Sequence, residues 1–441
     1  MPGQIKRCID SIQAQRAKGN PTLLLTTRTK LILKGVNPDR FDGNSPDDER
    51  ALAQLRTIAE ELARACETSK EPTAMSIRTA NTDKPLPEAI CELRDQLHGI
   101  EPRVVLFFAS DNYDAAAVSR QMQCAFPAAC VTGCSTAGEL AGGRLLNGSI
   151  SAMFLDRDVV EDAAVVVLEN LSERIDVRSA MAQLERHFGV RAGGWDLEKY
   201  AGLVLVDGLS GAEERLMEKL GDVSDLTFVG GSAGDDSKFQ RTHVYANGLA
   251  YTDSAVLALL RLRRGFEIVK TQSFRRIGKS LVATAVEGTS RTVSEFNGKP
   301  ALAAYAEALG VTPEEAAKHF FEHPLGLMVN GEPFVRSPQR ADGGKMVFYC
   351  GIQQGTELEV LKATDIVPDT RRAIEERKAV MGEIRGLIDF HCILRTIQLR
   401  NQNRGDDYAA IFAGIPAAGF STYGEAYLAH LNQTSTMLLF R

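Results

Sequence analysis

From Arg103 onward the chain alternates short apolar runs with segments of helical spacing. The runs are RVVLFF (103–108), SISAMFL (149–155), AAVVVL (163–168) and GLVLV (202–206). Continuous apolar runs bounded by turn residues predict strands covered on both faces, and the helical segments between them predict crossovers, hence an α/β fold. Asn-Gly pairs at 147–148, 247–248 and 330–331 sit between strand-like runs, where both residues tolerate the positive φ of a type I′ turn. The sheets should therefore be mixed, with hairpins as well as crossovers. From about Phe296 an Ala-rich helix, PALAAYAEALG, is followed by a helix start at Thr312, which can cap Pro313-Glu314-Glu315. The runs LGLMV (325–329), KMVFYC (345–350), ELEVL (357–361), LIDFHCIL (387–394) and STMLLF (435–440) then predict a second, α+β domain.

The opening of the chain reads differently. Residues 1–70 are basic up to Arg40 and then Ala/Leu-rich with helical spacing, which predicts a small separate helical module of unknown role. A polar stretch with two prolines reads as a linker at 71–87. The domains expected are then 1–70, 88–295 and 296–441.

Composition narrows the function classes. With 441 residues, 44% hydrophobic, 24% charged and a formal net charge of -6, the chain reads as an ordinary globular protein with no pull toward nucleic acid. No window holds the roughly 18 apolar residues of a membrane helix, and the first twenty residues carry no signal-peptide core, so no membrane and a cytoplasmic location are expected. Eight cysteines are scattered without a CxxC pair, which speaks against a disulfide framework or a zinc ribbon.

Two glycine-rich segments follow apolar runs: VTGCSTAGEL (131–140) and FVGGSAGDD (228–236). Ligands of open α/β sheets collect outside the carboxyl ends of strands, where glycine admits a close backbone approach. That makes Gly133, Cys134, Ser135 and Thr136, with Gly230, Gly231, Ser232, Gly234, Asp235 and Asp236, the candidate ligand-binding set. Tight turns are the competing explanation for the glycines. Asp235 and Asp236 can take an amine or cap the following segment.

GCSTAGE (133–139), GGSAGDD (230–236), FQRTHVYANG (239–248) and DSAVLALL (253–260) resemble the FIST N domain of bacterial signal-transduction proteins. NGKPALAAYAEALG (297–310), HPLGLMVNGEPFVRSP (323–338), DFHCILR (389–395) and GFSTYGEAYLAHLNQT (419–434) are similar to the FIST C domain. The resemblance implies a non-enzymatic sensor for a small ligand, an amino acid being the general suggestion. One branch implies haem, nitric oxide and control of a partner sensor kinase or cyclic-di-GMP enzyme, with a homodimer left open. Haem iron needs one axial imidazole, and among seven histidines His430, in LAHLNQT, and His391, in an apolar run, are the candidates.

Enzymatic readings compete less well. Gly208-Leu209-Ser210-Gly211 lacks the last glycine of a nucleophile elbow, since Ala212 stands there. Cys134 has no histidine or acid tied to it by sequence. His319 and His323 match HxxEH, but Pro324 predicts that the helix ends before both can face one metal. Arg336 and Arg340 read as solvated loop residues that can touch an anion.

Overall fold

The computed structural model describes residues 77–441 apart from 98, 192 and 289, and, nearer the N-terminus, residues 3–17 with scattered positions between 31 and 57. Contacts divide the chain into two units, Met1–Met75 and Ser76–Arg441. In the first, helix Gln4–Ala17 contributes Ile5, Ile9 and Ile12 to a small apolar cluster with Leu31, Val36 and Leu55. Residues 71–76 of the expected linker lie outside the described residues. Residues 77–82, within the same stretch, form a strand paired in full with Ile150–Leu155.

The second unit has the mixed α/β architecture expected, and its organising feature is a threefold internal repeat. The first repeat runs strand Ile77–Thr82, helix Glu88–Asp95, strand Val104–Ser110, helix Ala115–Ala125, strand Cys130–Thr136, a hairpin (Glu139–Ala141 with Arg144–Leu146) and return strand Ile150–Leu155. The second repeats that order with strands Val160–Leu168, Tyr200–Val206 and Phe228–Ser232, helices Val177–Phe188 and Glu213–Val223, hairpin Val244–Ala246/Leu249–Tyr251 and return strand Ala255–Leu262. The third uses strands Phe266–Gln272, Gly386–Cys392 and Ala417–Thr422, helices Ile366–Met381 and Ile393–Asn401, hairpin Glu425–Tyr427/Ala429–Leu431 and return strand Thr434–Phe440. Residues 274–363, inserted after its first strand, form a separate eight-stranded sheet covered by helix Ala301–Leu309.

Each repeat builds a six-stranded sheet in the order first strand, return strand, second strand, third strand, hairpin, and in each the second and third strands are parallel. The hairpin is always borrowed. Repeat one lends 139–146 to the third sheet, repeat three lends 425–431 to the second, and repeat two lends 244–251 to the first. The repeats are thus cyclically interlocked. An expected division at residue 296 falls inside the inserted sheet, while strand 266–272, on its N-terminal side, pairs with 434–440.

Strand alternation explains the apolar runs. In Val104–Ser110 every residue is buried: Val104, Leu106 and Phe108 enter a core shared by all three sheets, while Val105, Phe107 and Ala109 meet that sheet's own helices. Leu203 and Leu205 join the shared core from the second sheet, Ile388 and Phe390 from the third. Among the described residues no helix is long and apolar enough to cross a membrane.

Candidate functional site

The glycine-rich segments meet where the repeats interlock. A β-carbon on Gly133 would lie 1.8 Å from the Phe107 carbonyl oxygen, on Gly230 1.8 Å from that of Val204, and on Gly419 2.0 Å from that of Asp389. Each glycine therefore lets its strand pass close over its parallel neighbour. Two residues on, the three equivalent serines donate backbone N–H bonds to the residue preceding each borrowed hairpin: Ser135 to His243 O (2.9 Å), Ser232 to Gly424 O (2.8 Å) and Ser421 to Gly138 O (2.7 Å). Gly133, Cys134, Ser135 and Thr136, with Gly230, Gly231 and Ser232, are buried strand residues of this junction. Gly234 packs against Ala137, its β-carbon position 2.6 Å from the Ala137 nitrogen. Their smallness serves backbone packing at the positions shown.

The two aspartates part company. Asp235 accepts backbone N–H bonds from Phe239 (2.9 Å), Gln240 (2.6 Å) and Arg241 (2.9 Å) and a hydroxyl bond from Tyr423, so it clamps its own loop. Burial alone would raise its pKa, but these donors outweigh it and hold the carboxyl below its ordinary value. Asp236 is half-buried beside Asp111, and burial followed by that like charge pushes it up to about 6.

A cleft of about 530 Å³ opens at the carboxyl ends of strands Tyr200–Val206 and Gly386–Cys392, closed on its far side by Arg291, Thr292 and Val347–Tyr349 of the inserted sheet. Phe239, stacked on Tyr423 with ring centres 4.7 Å apart, stands at this cleft, and Ile393, Leu394 and Ile397 give it an apolar wall. Its polar end is built from the first helical turn after the strand. Arg291 Nη2 donates to Glu213 Oε2 (2.9 Å) and Glu214 Oε2 (2.8 Å), Ser232 Oγ donates to Glu213 Oε1 (3.2 Å), and Gly351 N donates to Glu214 Oε1 (2.7 Å). Burial would raise Glu214, yet the contacts with His430 and Arg291 bring it well below the usual carboxylate range. The trio fastens the inserted sheet to the repeat core, and among the described residues Arg291 Nη1 and Nε have no hydrogen-bond partner.

Two buried polar side chains face this cleft unpartnered. Among the described residues, Asn432, 1% exposed, has no partner for Oδ1, and His430, 3% exposed, has no hydrogen bond at either nitrogen. His430 Nδ1 lies 3.3 Å from Glu214 Oε1 but is misaligned for a hydrogen bond. Buried polar atoms without partners are rare in folded chains, so Asn432 Oδ1 points to an occupant, whereas the His430 nitrogens already face Gly424 and Glu214. The position of His430 in its hairpin corresponds to Leu145 and Ala250 in the other two, by the register of the paired strands. The first helical turn that supplies Glu213 and Glu214 likewise begins Ala115-Ala116 and Ile393-Leu394 in the other repeats. What all three repeats share serves the fold; these polar departures are what the fold does not require.

Glu213, Glu214 and His430 bring three donor atoms within 4.8 Å of one another, the arrangement a metal could use. Arg291, Ser232 and Gly351 already occupy the carboxylate oxygens, so the group is closed as an ion-pair network.

Neither sequence-predicted histidine offers iron an open position. A β-carbon on Gly424 would fall 1.9 Å from His430 Nε2 and farther from both adjacent ring carbons, 2.8 and 3.1 Å, so Gly424 occupies the direction of the Nε2 lone pair. Nδ1 faces Glu214. His391 is fully buried, facing away from the shared core as strand alternation from Phe390 requires, and lines neither this cleft nor its neighbour. Its Nδ1 lies 3.1 Å from Tyr408 Oη, which donates to Asp389 Oδ2 (2.7 Å), and Ser435 Oγ donates to Asp389 Oδ1 (2.6 Å). Burial, then the buried Arg395, hold His391 well below the ordinary imidazole value and hence neutral. The motif DFHCILR is this buried network beneath helix Ile366–Met381. Haem does not fit either histidine in this arrangement.

The residues considered for catalysis are dispersed. Cys134 is fully buried and burial pushes its thiol far up. Ser210 Oγ donates to the Asp207 carbonyl (2.7 Å). His319 and His323 have ring centres 5.8 Å apart, with the helical segment ending at His319. Arg340 is exposed and pairs with Asp342 (3.4 Å).

The repeat core and the inserted sheet together enclose a cleft with one polar end. The chain matches the FIST N domain model over residues 103–299 and the FIST C domain model over 301–427, and it belongs to the FIST family. FIST domains are associated with small-ligand sensing in signal transduction. The chain is also similar to an uncharacterized protein, MJ1623, of Methanocaldococcus jannaschii, 26% identical over 196 residues; the match covers 41% of this chain and 38% of that protein.

Proposed function

We propose that the chain is a non-catalytic sensor that takes a small polar metabolite, of amino-acid type, in the cleft between the repeat core and the inserted sheet, without haem. The observation that carries the reading is the buried, unpartnered Oδ1 of Asn432 in the cleft that Arg291 also lines. Asn432 Oδ1 accepts from a ligand ammonium, the free Nη1 and Nε of Arg291 donate to a carboxylate, and Phe239 with Leu394 and Ile397 covers an apolar side chain. Because the walls come from both the core and the inserted sheet, occupancy bears directly on how the two pack. That is the change a partner reads, a sensor kinase or cyclic-di-GMP enzyme being the class that the family resemblance carries.

A thermal-shift screen of free amino acids and related metabolites, followed by calorimetry, tests this. A hit should lose about tenfold or more in affinity in Asn432→Ala with little change in melting temperature, the cost of one buried hydrogen bond. A Soret band on expression with haem that shifts with nitric oxide would overturn the haem-free reading.

A further inference from the structure

Behind the Glu214–Arg291 pair lies a second cavity of about 390 Å³, which shares only His430 with the cleft. Its floor is apolar, formed by Met217, Leu327, Ile352 and Leu358. One cation lines it. Arg336 is half-buried, and its Nη1 reaches two backbone carbonyls, Val335 O (3.2 Å) and His430 O (3.4 Å). Among the described residues it has no carboxylate within ion-pair distance, and Nε and Nη2 have no hydrogen-bond partner. Of the two acids at this cavity, Glu214 is occupied by Arg291 and Gly351 N, and Glu218 is exposed at the edge. A guanidinium over an apolar floor, left without its counter-charge, is a receptor for an anion with an apolar body.

The rim carries an independent sign. Two of the borrowed hairpins turn through residues suited to positive φ, Gly142-Gly143 and Asn247-Gly248. The third is one residue shorter and places Leu428 in the left-handed region, φ 58°, with 62% of its surface exposed over the second cavity. A branched side chain in that conformation, open to water, is strain that neither the turn nor the core requires. It becomes intelligible when the leucine closes over an apolar ligand.

We propose that this second cavity binds an amphiphilic monocarboxylate, its carboxylate on Arg336 and its apolar body between the floor and Leu428. The site is separate from the cleft, and its occupancy does not depend on what the cleft takes. The two meet at one residue, His430, whose backbone carbonyl accepts from Arg336.

Octanoate is the probe, titrated into the full chain by calorimetry at low salt, with octan-1-ol as the neutral analogue. Octanoate should bind at least about tenfold more tightly than the alcohol and lose about tenfold in Arg336→Gln, the cost of one charge-assisted contact. Because Arg336 also fastens a backbone, Leu428→Asp supplies a second reading. It alters only an exposed residue, suits the left-handed backbone better and sets a negative charge at the rim, so it should weaken octanoate severalfold without lowering the melting temperature. Asn432→Ala should leave octanoate binding unchanged, which separates this site from the cleft. No binding to the wild type at millimolar octanoate, equal binding by Arg336→Gln and Leu428→Asp, or loss in Asn432→Ala would each overturn the proposal.

Discussion

His430 Nε2 points directly at Gly424: a β-carbon added to that glycine would meet it at 1.9 Å. Gly424 is not among the residues with positive φ, so the constraint is steric rather than conformational. Gly424→Ala should therefore cost about 1–3 kcal/mol, the range for overpacking a filled site, by driving the ring toward Glu214 or out into a cavity. Adding His430→Ala removes the obstacle, so the double variant should recover most of that loss. Urea denaturation of the two single variants and the double variant closes the cycle. A Gly424→Ala chain as stable as the wild type would mean that the ring already rests elsewhere.

The three repeat glycines should be far less tolerant. Alanine at Gly133, Gly230 or Gly419 sets a methyl group within 1.8–2.0 Å of a backbone carbonyl oxygen, and a backbone cannot rotate aside as a side chain can. Each substitution should cost about 3 kcal/mol or more, or prevent folding. Gly221, in helix Glu213–Val223 with nothing within 4 Å of its β-carbon position, is the counter-example: Gly221→Ala should stabilise by about 0.5–1 kcal/mol. Melting temperatures moving in the same direction at Gly133 and Gly221 would contradict the repeat geometry.

These glycines also show what was legible in the sequence. The α/β rhythm was readable because strands covered on both faces leave unbroken apolar runs such as VVLFF. The repeat was not, because the three units share little beyond G-x-S before each borrowed hairpin, and the third is split by residues 274–363. A sequence shows that Gly133 or Gly230 follows an apolar run but not whether the close approach it permits is to a ligand or to a neighbouring strand. From the sequence His430 reads as an axial ligand; it lines the cleft, but with its Nε2 direction taken by Gly424. Glu213 and Glu214 carry no distinguishing signal in the sequence, because acids in a first helical turn are ordinary complements to the helix dipole. Their partner Arg291 is some eighty residues on, in another element. For Asp235 the sequence leaves an amine contact and a cap on the following segment both open, and the three N–H groups it accepts are visible only once the loop is folded.

The Arg291 network makes a prediction of its own. Glu213 has 6% of its side chain exposed, Glu214 31% and Arg291 25%. Arg291→Met leaves two adjacent carboxylates, one buried, without their cation. Breaking a buried pair from one side costs about 3–5 kcal/mol, and the solvent reaching Glu214 reduces this to about 2–3. Adding Glu213→Gln should recover part of the loss, because the remaining amide can be satisfied by Ser232. Chemical denaturation of the single and double variants measures both; an additive double variant would mean that Arg291 and Glu213 act independently.

Stability should also fall as pH rises through neutrality, and Glu425 is the group responsible. It is fully buried and accepts from Thr422 Oγ1 (2.5 Å), Thr434 N (3.0 Å) and Thr434 Oγ1 (2.7 Å), yet burial outweighs these donors and pushes its pKa from 4.5 up to about 7. Glu139, its counterpart in the first repeat, is held by Thr136 and Ser149 in the same way and is also raised, again chiefly by burial. A carboxyl whose folded pKa lies above its unfolded value binds its proton more tightly when folded. Its contribution is complete below pH about 4.5 and is lost as pH climbs through about 7, a change on the order of 3 kcal/mol for Glu425. Glu214 works in the opposite sense: its depressed pKa adds stability that is present above the unfolded value and disappears as pH falls through the lower one. The melting temperature should therefore peak in mildly acid solution and decline between pH about 5 and about 8, and Glu425→Gln, neutral throughout, should flatten that decline. A wild-type curve level across this interval, or an unchanged slope in Glu425→Gln, would show that the folded protein keeps this carboxylate ionised at no cost.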